Sequence, residues 1–504
     1  MESSYIKKIL QARVYDVAKK TRLDYANNLS KRFDNNIWIK REDLQPVFSF
    51  KLRGAYNKIS SLPKSVLAKG VIAASAGNHA QGVALSAMKL GIPATIVMPK
   101  TTPEIKVLAV QDRKAEVILH GTTYDDASKY AQQLVKQKGL TYIHPYDDME
   151  VIAGQGTIGM EILQQHTGEI GAIFIPVGGG GLIGGIAAYV KYLRPEVKII
   201  GVEPEDAACL YSAMQAGKRV TLDQVGIFAD GVAVRQVGKL PFELAKLYVD
   251  EVLLASTDEI CAAIRDIFDE TRIIAEPAGA LGLAGLKQYI AREKCSGCNL
   301  ITITSGANMN LDRLGYVVER AEIGEQREAL IAVAIPEQPG SFRQFCHVIG
   351  QHFVTEFNYR YDNNKEANVF AGLRLSKGFE EKDKLIAKLR DKNYSVVDIT
   401  DNEMAKTHIR HLVGGHAPLL TNERLYRFEF PERPGALSHF LTNIGERWNI
   451  SLFHYRNHGS AYGRVLIGIQ VPDTQLDEFQ NFLDNIGYQH WNENDNPAYH
   501  LFLN

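Results

Sequence analysis

The chain has 504 residues, too many for one small core, so two to four domains are expected. A net charge of −1 supplies neither the basic footprint of a nucleic-acid binder nor an acidic tail, and 45% apolar with 23% charged residues excludes a disordered chain. Five cysteines are too few for a disulfide framework and point to a reduced, cytoplasmic setting.

The N-terminus lacks the apolar run of a signal peptide. Residues 1–35 read as a helical arm, with Leu10, Val14 and Val17 spaced for one face. Ile37–Lys40 reads as a strand, followed by a turn-rich stretch in which Pro46 bars helix. Ser49 then has the chemistry of a helix N-cap, and Leu52, Ala55, Tyr56 and Ile59 follow at helical spacing. Lys51 therefore falls in the first helical turn, where the helix dipole is positive. Phe48, Phe50 and Leu52 surround it with apolar surface. Both effects disfavour the ammonium and favour the neutral amine that Schiff-base chemistry needs.

From there to about residue 305, short apolar runs alternate with helical patterns. Val71–Ala74, Ala94–Met98, Glu116–Leu119, Thr141–Ile143, Ala172–Val177, Lys198–Val202 and Leu300–Ile303 read as strands. Helices are expected at Asn78–Leu90 and Glu104–Val110. The pattern is α/β, a parallel sheet covered on both faces. The uncharged stretch Gly171–Val190 is long enough to span a membrane, but its glycines and Pro176 favour strand, tight loop and helix in series, and no membrane segment is expected.

Such sheets bind ligands beyond the carboxyl ends of their strands. Three strand ends carry unusual loops: Ser75-Ala76-Gly77-Asn78-His79, Gly178-Gly179-Gly180-Gly181-Leu182 and Thr304-Ser305-Gly306-Ala307-Asn308. All three, with Lys51, can face one crevice. The glycine run brings bare N–H groups and a helix start together, a cup for phosphate. No Lys-Ser or Lys-Thr follows it, so it is no nucleotide P-loop. An imine-forming lysine, a phosphate cup and a hydroxyl at a third strand end suggest pyridoxal phosphate. His79 is expected to make a structural hydrogen bond rather than serve as a base. Glu203-Pro-Glu205-Asp206 follows another strand end and could hold a cation, though no metal is expected, and the role of Glu276-Pro-Ala-Gly279 is open. Cys295-Ser-Gly-Cys298 has no second ligand pair near it and reads as ordinary thiols.

Through Ser49–Ala55, Ser75–Gln81, Gly178–Leu182 and Ser305–Asn308, residues 1–320 resemble the tryptophan-synthase-β-like family of pyridoxal-phosphate enzymes, and within it the threonine/serine dehydratases. By that resemblance Lys51 carries the cofactor covalently and later becomes the proton carrier. Phe50 packs beside the ring, and Asn78 bonds its 3′-oxygen. Gly178, Gly179, Gly180, Gly181 and Leu182 hold the phosphate, and Ser305 meets the pyridine nitrogen. Ser75, Ala76 and Gly77 match the substrate carboxylate site. A serine at 305 can donate to a neutral pyridine nitrogen, which favours loss of a β-substituent over racemisation. At Ala76, relatives with racemase activity carry a second serine for the opposite cofactor face.

Near residue 320 the pattern changes. Leu330–Phe342 and Leu425–Leu437 share an apolar run ending in Pro-Glu-x-Pro-Gly, with Pro336 and Pro431 standing 95 residues apart. This internal duplication predicts two α+β copies of a βαββαβ unit, at 321–401 and 423–504, joined by a linker at 402–422. Both resemble ACT-like small-molecule sensors, and with them the whole chain resembles the biosynthetic threonine deaminases. The resemblance implies conversion of L-threonine to 2-oxobutanoate and ammonia (L-serine giving pyruvate), inhibition by isoleucine opposed by valine, and a homotetramer. Tyr359, Leu437, Leu441, Ile444 and Tyr455 are the expected effector contacts. Another pyridoxal-phosphate β-elimination or β-replacement enzyme, such as a serine dehydratase, is the alternative activity, and a catalytically dead amino-acid sensor is the non-enzymatic one.

Overall fold

The computed structural model describes residues 2–336, 344–345, 348–350, 352, 354–361, 366–376, 378–411, 422–431, 440, 443–444, 447–456 and 462–503. The chain divides into two compact units, Met1–Leu311 and Asp312–Asn504.

The described residues of the first unit contain ten strands: β1 (Leu23–Tyr25), β2 (Asn36–Arg41), β3 (Val71–Ala74), β4 (Ala94–Met98), β5 (Glu116–Leu119), β6 (Thr141–Tyr142), β7 (Ala172–Pro176), β8 (Lys198–Pro204), β9 (Glu251–Ala255) and β10 (Asn299–Thr304). They form two sheets rather than one series. The larger runs β1-β2-β10-β7-β8-β9 and the smaller β5-β4-β3-β6. Every pairing is parallel except that of the edge strand β1 with β2. Strands β3, β4 and β7 are buried along their whole length, as their unbroken apolar runs require. Gly171–Val190 resolves into β7, a glycine loop and the helix Gly181–Leu193, and no described helix is long and apolar enough to cross a membrane.

The N-terminal arm differs from expectation. It is helical only over Glu2–Gln11 and Asn27–Phe33, with β1 between them. Leu10 is exposed, while Ile6 and Ile9 bury against Ala153 and Tyr189, so the true apolar face is one position removed from the one anticipated. The helix Lys51–Ser60 crosses the helix Met149–Gln165 at close backbone range: a β-carbon on Gly154 would sit 2.7 Å from the carbonyl oxygen of Arg53. Glycine there lets the two helices meet, and the approach fixes where Lys51 begins its helix.

The second unit holds two sheets of identical order. β11 (Glu328–Pro336), β12 (Val354–Tyr361), β13 (Glu366–Arg374) and β14 (Ser395–Asp398) are arranged β12-β13-β11-β14. β15 (Glu423–Pro431), β16 (Asn449–Arg456), β17 (Tyr462–Gln470) and β18 (Gln489–Asn492) are arranged β16-β17-β15-β18. All pairings are antiparallel, and the same irregularity recurs at Val354/Glu356 and at Ile450/Leu452. The duplication read from Pro336 and Pro431 is thus a duplication of topology. The helices Phe379–Asp391 and Leu476–Asn485 cover the two sheets. The repeats share one core: Leu330, Phe370 and Met404 pack with Leu425, Leu466, Tyr499 and Phe502. Residues 403–411 of the expected linker are folded, as the helix Glu403–Thr407 and the turn Ile409–His411, and contribute to that core.

Tyr359 and Tyr455 fall at equivalent register positions, opposite Val369 on β13 and Val465 on β17. Ile444 is buried with Phe440 in the core of the second repeat. Leu437 and Leu441 lie outside the described residues.

Candidate active site

Lys51 is the first residue of its helix, half-buried, with Nζ 5.2 Å from the centroid of the Phe50 ring. Burial pushes its pKa down to about 8, with the nearby Glu276 carboxylate pulling the other way. At pH 7 roughly a tenth of such an amine is neutral, against less than a thousandth of a free lysine. Ser49 does not cap the helix as expected. Phe50 holds the N-cap position without a side-chain bond, and the Ser49 hydroxyl accepts only a long 3.4 Å contact from the Lys51 N–H. Ser49 instead bridges to Gly306, and the Phe50 N–H donates to the Ser305 carbonyl at 3.2 Å. The lysine turn is thereby tied to the end of β10.

Asn78 opens the helix Asn78–Leu90 and is buried. Its amide donates to Glu276 Oε1 at 2.6 Å, and its carbonyl oxygen accepts from the Asn308 amide at 2.6 Å. Glu276 is buried, and its pKa is pushed up to about 7, first by desolvation and then by Asp230. The Ser305 hydroxyl donates to the Ala278 carbonyl over a long 3.3 Å. Ser75 accepts from the Gly77 N–H at 3.3 Å, and Ser75, Ala76 and Gly77 are all half-buried at the end of β3. His79 is a structural residue: its Nε2 donates to the Ile143 carbonyl at 2.8 Å, and burial pushes its pKa down to about 3. The ring is neutral at working pH.

Gly178–Leu182 lie buried at the end of β7. A β-carbon on Gly179 would stand 2.2 Å from the Tyr146 ring, and Gly180 has φ +87° with Pro241 2.8 Å from the same hypothetical atom. Gly181 and Leu182 begin the next helix, so their N–H groups have no acceptor within it. The Cys209 thiol donates to the Gly178 carbonyl at 3.3 Å, holding the loop from behind. Tyr146 in turn packs edge-on against His144 at 4.7 Å, and His144 lies within electrostatic range of Lys51. Glu203 accepts from the Leu210 and Tyr211 N–H groups at 2.8 and 2.7 Å, acting as an internal acceptor. No cluster of three potential metal ligands occurs among the described residues.

Residues 14–306 match the model of pyridoxal-phosphate-dependent enzymes, and residues 319–409 and 415–503 match that of the C-terminal regulatory domain of threonine dehydratase. The chain is 54% identical over 502 residues to the biosynthetic L-threonine dehydratase of Burkholderia multivorans, covering 99% of each protein. Its identity to the Escherichia coli enzyme of that name is 51% over 501 residues, 99% of this chain and 97% of that one. The chain belongs to the pyridoxal-phosphate-dependent threonine dehydratase family. Among solved structures, the processed form of threonine deaminase isoform 2 from Solanum lycopersicum superposes with a TM-score of 0.63 at 49% identity, covering 64% of this chain and 88% of that one. Maize serine racemase superposes at 0.58 with 32% identity, covering 62% of this chain and 96% of that one.

The residues fit the dehydratase cofactor on their own geometry. The glycine cradle is walled so closely by Tyr146 and Pro241 that any side chain would fill it. A neutralisable amine lies within electrostatic range of a carboxylate, and two hydroxyls, Ser75 and Ser305, make only long contacts. Sequence reasoning left Glu276 without a role and did not single out Tyr146 or Asn308 individually. Nothing local in sequence distinguishes a buried carboxylate in Glu276-Pro-Ala-Gly279 from a helix-start glutamate; the burial comes from β10 and Asn78, more than 20 and nearly 200 residues away.

Proposed function

We propose that this chain dehydrates and deaminates L-threonine to 2-oxobutanoate and ammonia, with L-serine as a second substrate. The observation that carries the reading is Lys51, at a helix start, its amine disfavoured as a cation and tied through Phe50 and Ser305 to the end of β10. When bound there, pyridoxal phosphate supplies an electron-withdrawing ring that acidifies the substrate α-carbon.

Lys51 is assigned to the attachment of the cofactor and, once freed, to removal of the α-proton by its neutral Nζ. Phe50 packs beside the ring. Gly178, Gly179, Gly180, Gly181 and Leu182 receive the phosphate on main-chain N–H groups, with the helix dipole behind them. Asn78 would donate to the ring 3′-oxygen, and Ser305, whose hydroxyl makes only a long contact to the Ala278 carbonyl, would meet the pyridine nitrogen. Ser75, Ala76 and Gly77 orient the substrate carboxylate. The β-hydroxyl leaves as water, its added proton balancing the one that Lys51 takes from the α-carbon, and the aminocrotonate released tautomerises and hydrolyses in solution to the keto acid and ammonia.

Isoleucine as inhibitor, valine as its antagonist, a homotetramer and a cytoplasmic location belong to the same proposal. The two regulatory repeats support it, because amino-acid sensors act by shifting subunit arrangements. Production of 2-oxobutanoate from threonine, assayed with and without isoleucine, is the direct test. Turnover of serine in preference to threonine would move the reading to a serine dehydratase.

A further inference from the structure

Asn308, Asn78 and Glu276, the last within electrostatic range of Lys51, form a chain whose direction the main chain dictates. The Asn308 amide lies 2.9 Å from the Val47 carbonyl, which can only accept, so Nδ2 of Asn308 must face it. The same Nδ2 lies 2.6 Å from Asn78, so the Asn78 group facing it must be the carbonyl oxygen. Both hydrogens of the Asn308 amide are thus committed. The Asn78 amino group is turned the other way, onto Glu276 Oε1 at 2.6 Å. One hydrogen of that amino group remains for a ligand. Had Asn78 been free to rotate by half a turn, it would present its carbonyl oxygen to the crevice instead, at nearly the same shape.

We propose that Asn308 and Glu276 are positioning residues that lock the polarity of Asn78, so that it offers an N–H and never its carbonyl oxygen to the ring oxygen of the cofactor. The inference rests on the assignment of that ring to the crevice. A donor is what an oxyanion needs, and an acceptor there would repel it. The two flanking contacts come from different elements, the segment after β10 and the residue preceding the helix Pro277–Glu293, so both must be in place before Asn78 is oriented. Gly231 and Gly306 border the carboxylate closely: β-carbons there would lie 3.7 and 2.2 Å from Glu276 Oε1. That leaves little room for Glu276 to adopt another position.

The test uses the full chain, purified with cofactor, and two readouts other than turnover: the pH titration of the bound cofactor's visible band, and cofactor affinity by reconstitution of the apoprotein. Asn308→Asp cannot donate to Val47 or to Asn78, and Glu276→Ala removes the acceptor. Each should move the titration midpoint by about one pH unit toward that of Asn78→Ala and weaken cofactor binding roughly tenfold. Glu276→Gln retains an acceptor oxygen of the same reach and should stay within about threefold of the native protein. Native values in Asn308→Asp and Glu276→Ala overturn the proposal, as does Glu276→Gln behaving like Glu276→Ala. Asn308→Asp is nearly isosteric, so it remains informative if Glu276→Ala fails to fold. Absence of any visible band in the native protein, or its survival in Lys51→Ala, would instead remove the cofactor assignment itself.

Discussion

Arg53 donates from Nη1 to Glu161 Oε1 across 2.6 Å, with both side chains wholly shut off from solvent. The same guanidinium grips Glu42 bidentately, Nε to Oε2 and Nη2 to Oε1, each at 2.8 Å. Lys40 completes the set at 2.6 Å from Glu161. Two cations and two carboxylates balance in a site closed to solvent. Arg53 is two residues from Lys51, so this network anchors the turn that carries the amine. Arg53→Met would leave two carboxylates against one ammonium, and breaking a buried pair costs about 3–5 kcal/mol. Urea unfolding should show a loss of that size. Arg53→Lys keeps the charge but not the fork, and should still lose about 1–3 kcal/mol. An unchanged unfolding midpoint for Arg53→Met would mean the network is incidental.

Lys51 should label at an unusually low pH. With its pKa pushed down to about 8, modification of the apoprotein by an amine reagent, followed by peptide mass mapping, should reach half its maximal rate near pH 8. Exposed lysines should do so near about 10.4. The folded pKa lies below the unfolded one, so between these values the unfolded chain binds more protons, and this group makes apoprotein stability rise with pH across that window. Labelling of Lys51 in step with surface lysines would contradict the burial argument.

The glycine cup can be tested by size. Gly179→Ala places a methyl 2.2 Å from the Tyr146 ring, so the ring or the loop proposed to receive the phosphate must shift. Overpacking of this kind costs about 1–3 kcal/mol, so cofactor affinity should fall roughly ten- to a hundredfold, read by reconstitution of the apoprotein. A Gly179→Ala protein that keeps its cofactor through dialysis as the native one does would show that the phosphate lies elsewhere.

Ala76 bears on the outcome at the α-carbon. Racemisation needs a proton donor on each cofactor face, and a methyl group cannot act as one. Incubation with L-serine should give pyruvate and no D-serine on a chiral column. Appearance of D-serine would mean that another group reaches the second face.

Much of this site was legible because its parts are local. A strand followed by a glycine run, or by Ser-Gly-x-Asn, declares its loop within a few residues, and β3, β7 and β10 fall where their apolar runs place them. What was not legible depends on contacts distant in sequence. The split of the parallel strands into two sheets is decided by which strands pair, and an apolar run carries no partner's address. Ser49 has the chemistry of a cap, but its buried bridge to Gly306 outweighs that local preference. Leu10 fits a helical stripe as well as Ile6 and Ile9 do, and only the packing against Ala153 and Tyr189 tells them apart. Glu161 and Lys40 look like surface charges until Arg53 is placed between their elements.

The helix Leu314–Gly324 belongs to the second unit: Ile323 joins the core shared by the repeats, and Arg320 pairs with Glu403. A chain cut at 320 would therefore strand part of that helix with apolar surface exposed, whereas one ending at Leu311 stops at the unit boundary. A chain ending at Leu311 should form 2-oxobutanoate from threonine and show no response to isoleucine or valine, because the sensors have gone while Lys51 and its three loops remain. The full chain should be inhibited by isoleucine under the same conditions. Inhibition that survives the truncation would place the effector on the catalytic unit, and the duplicated sheets would then have no part in it.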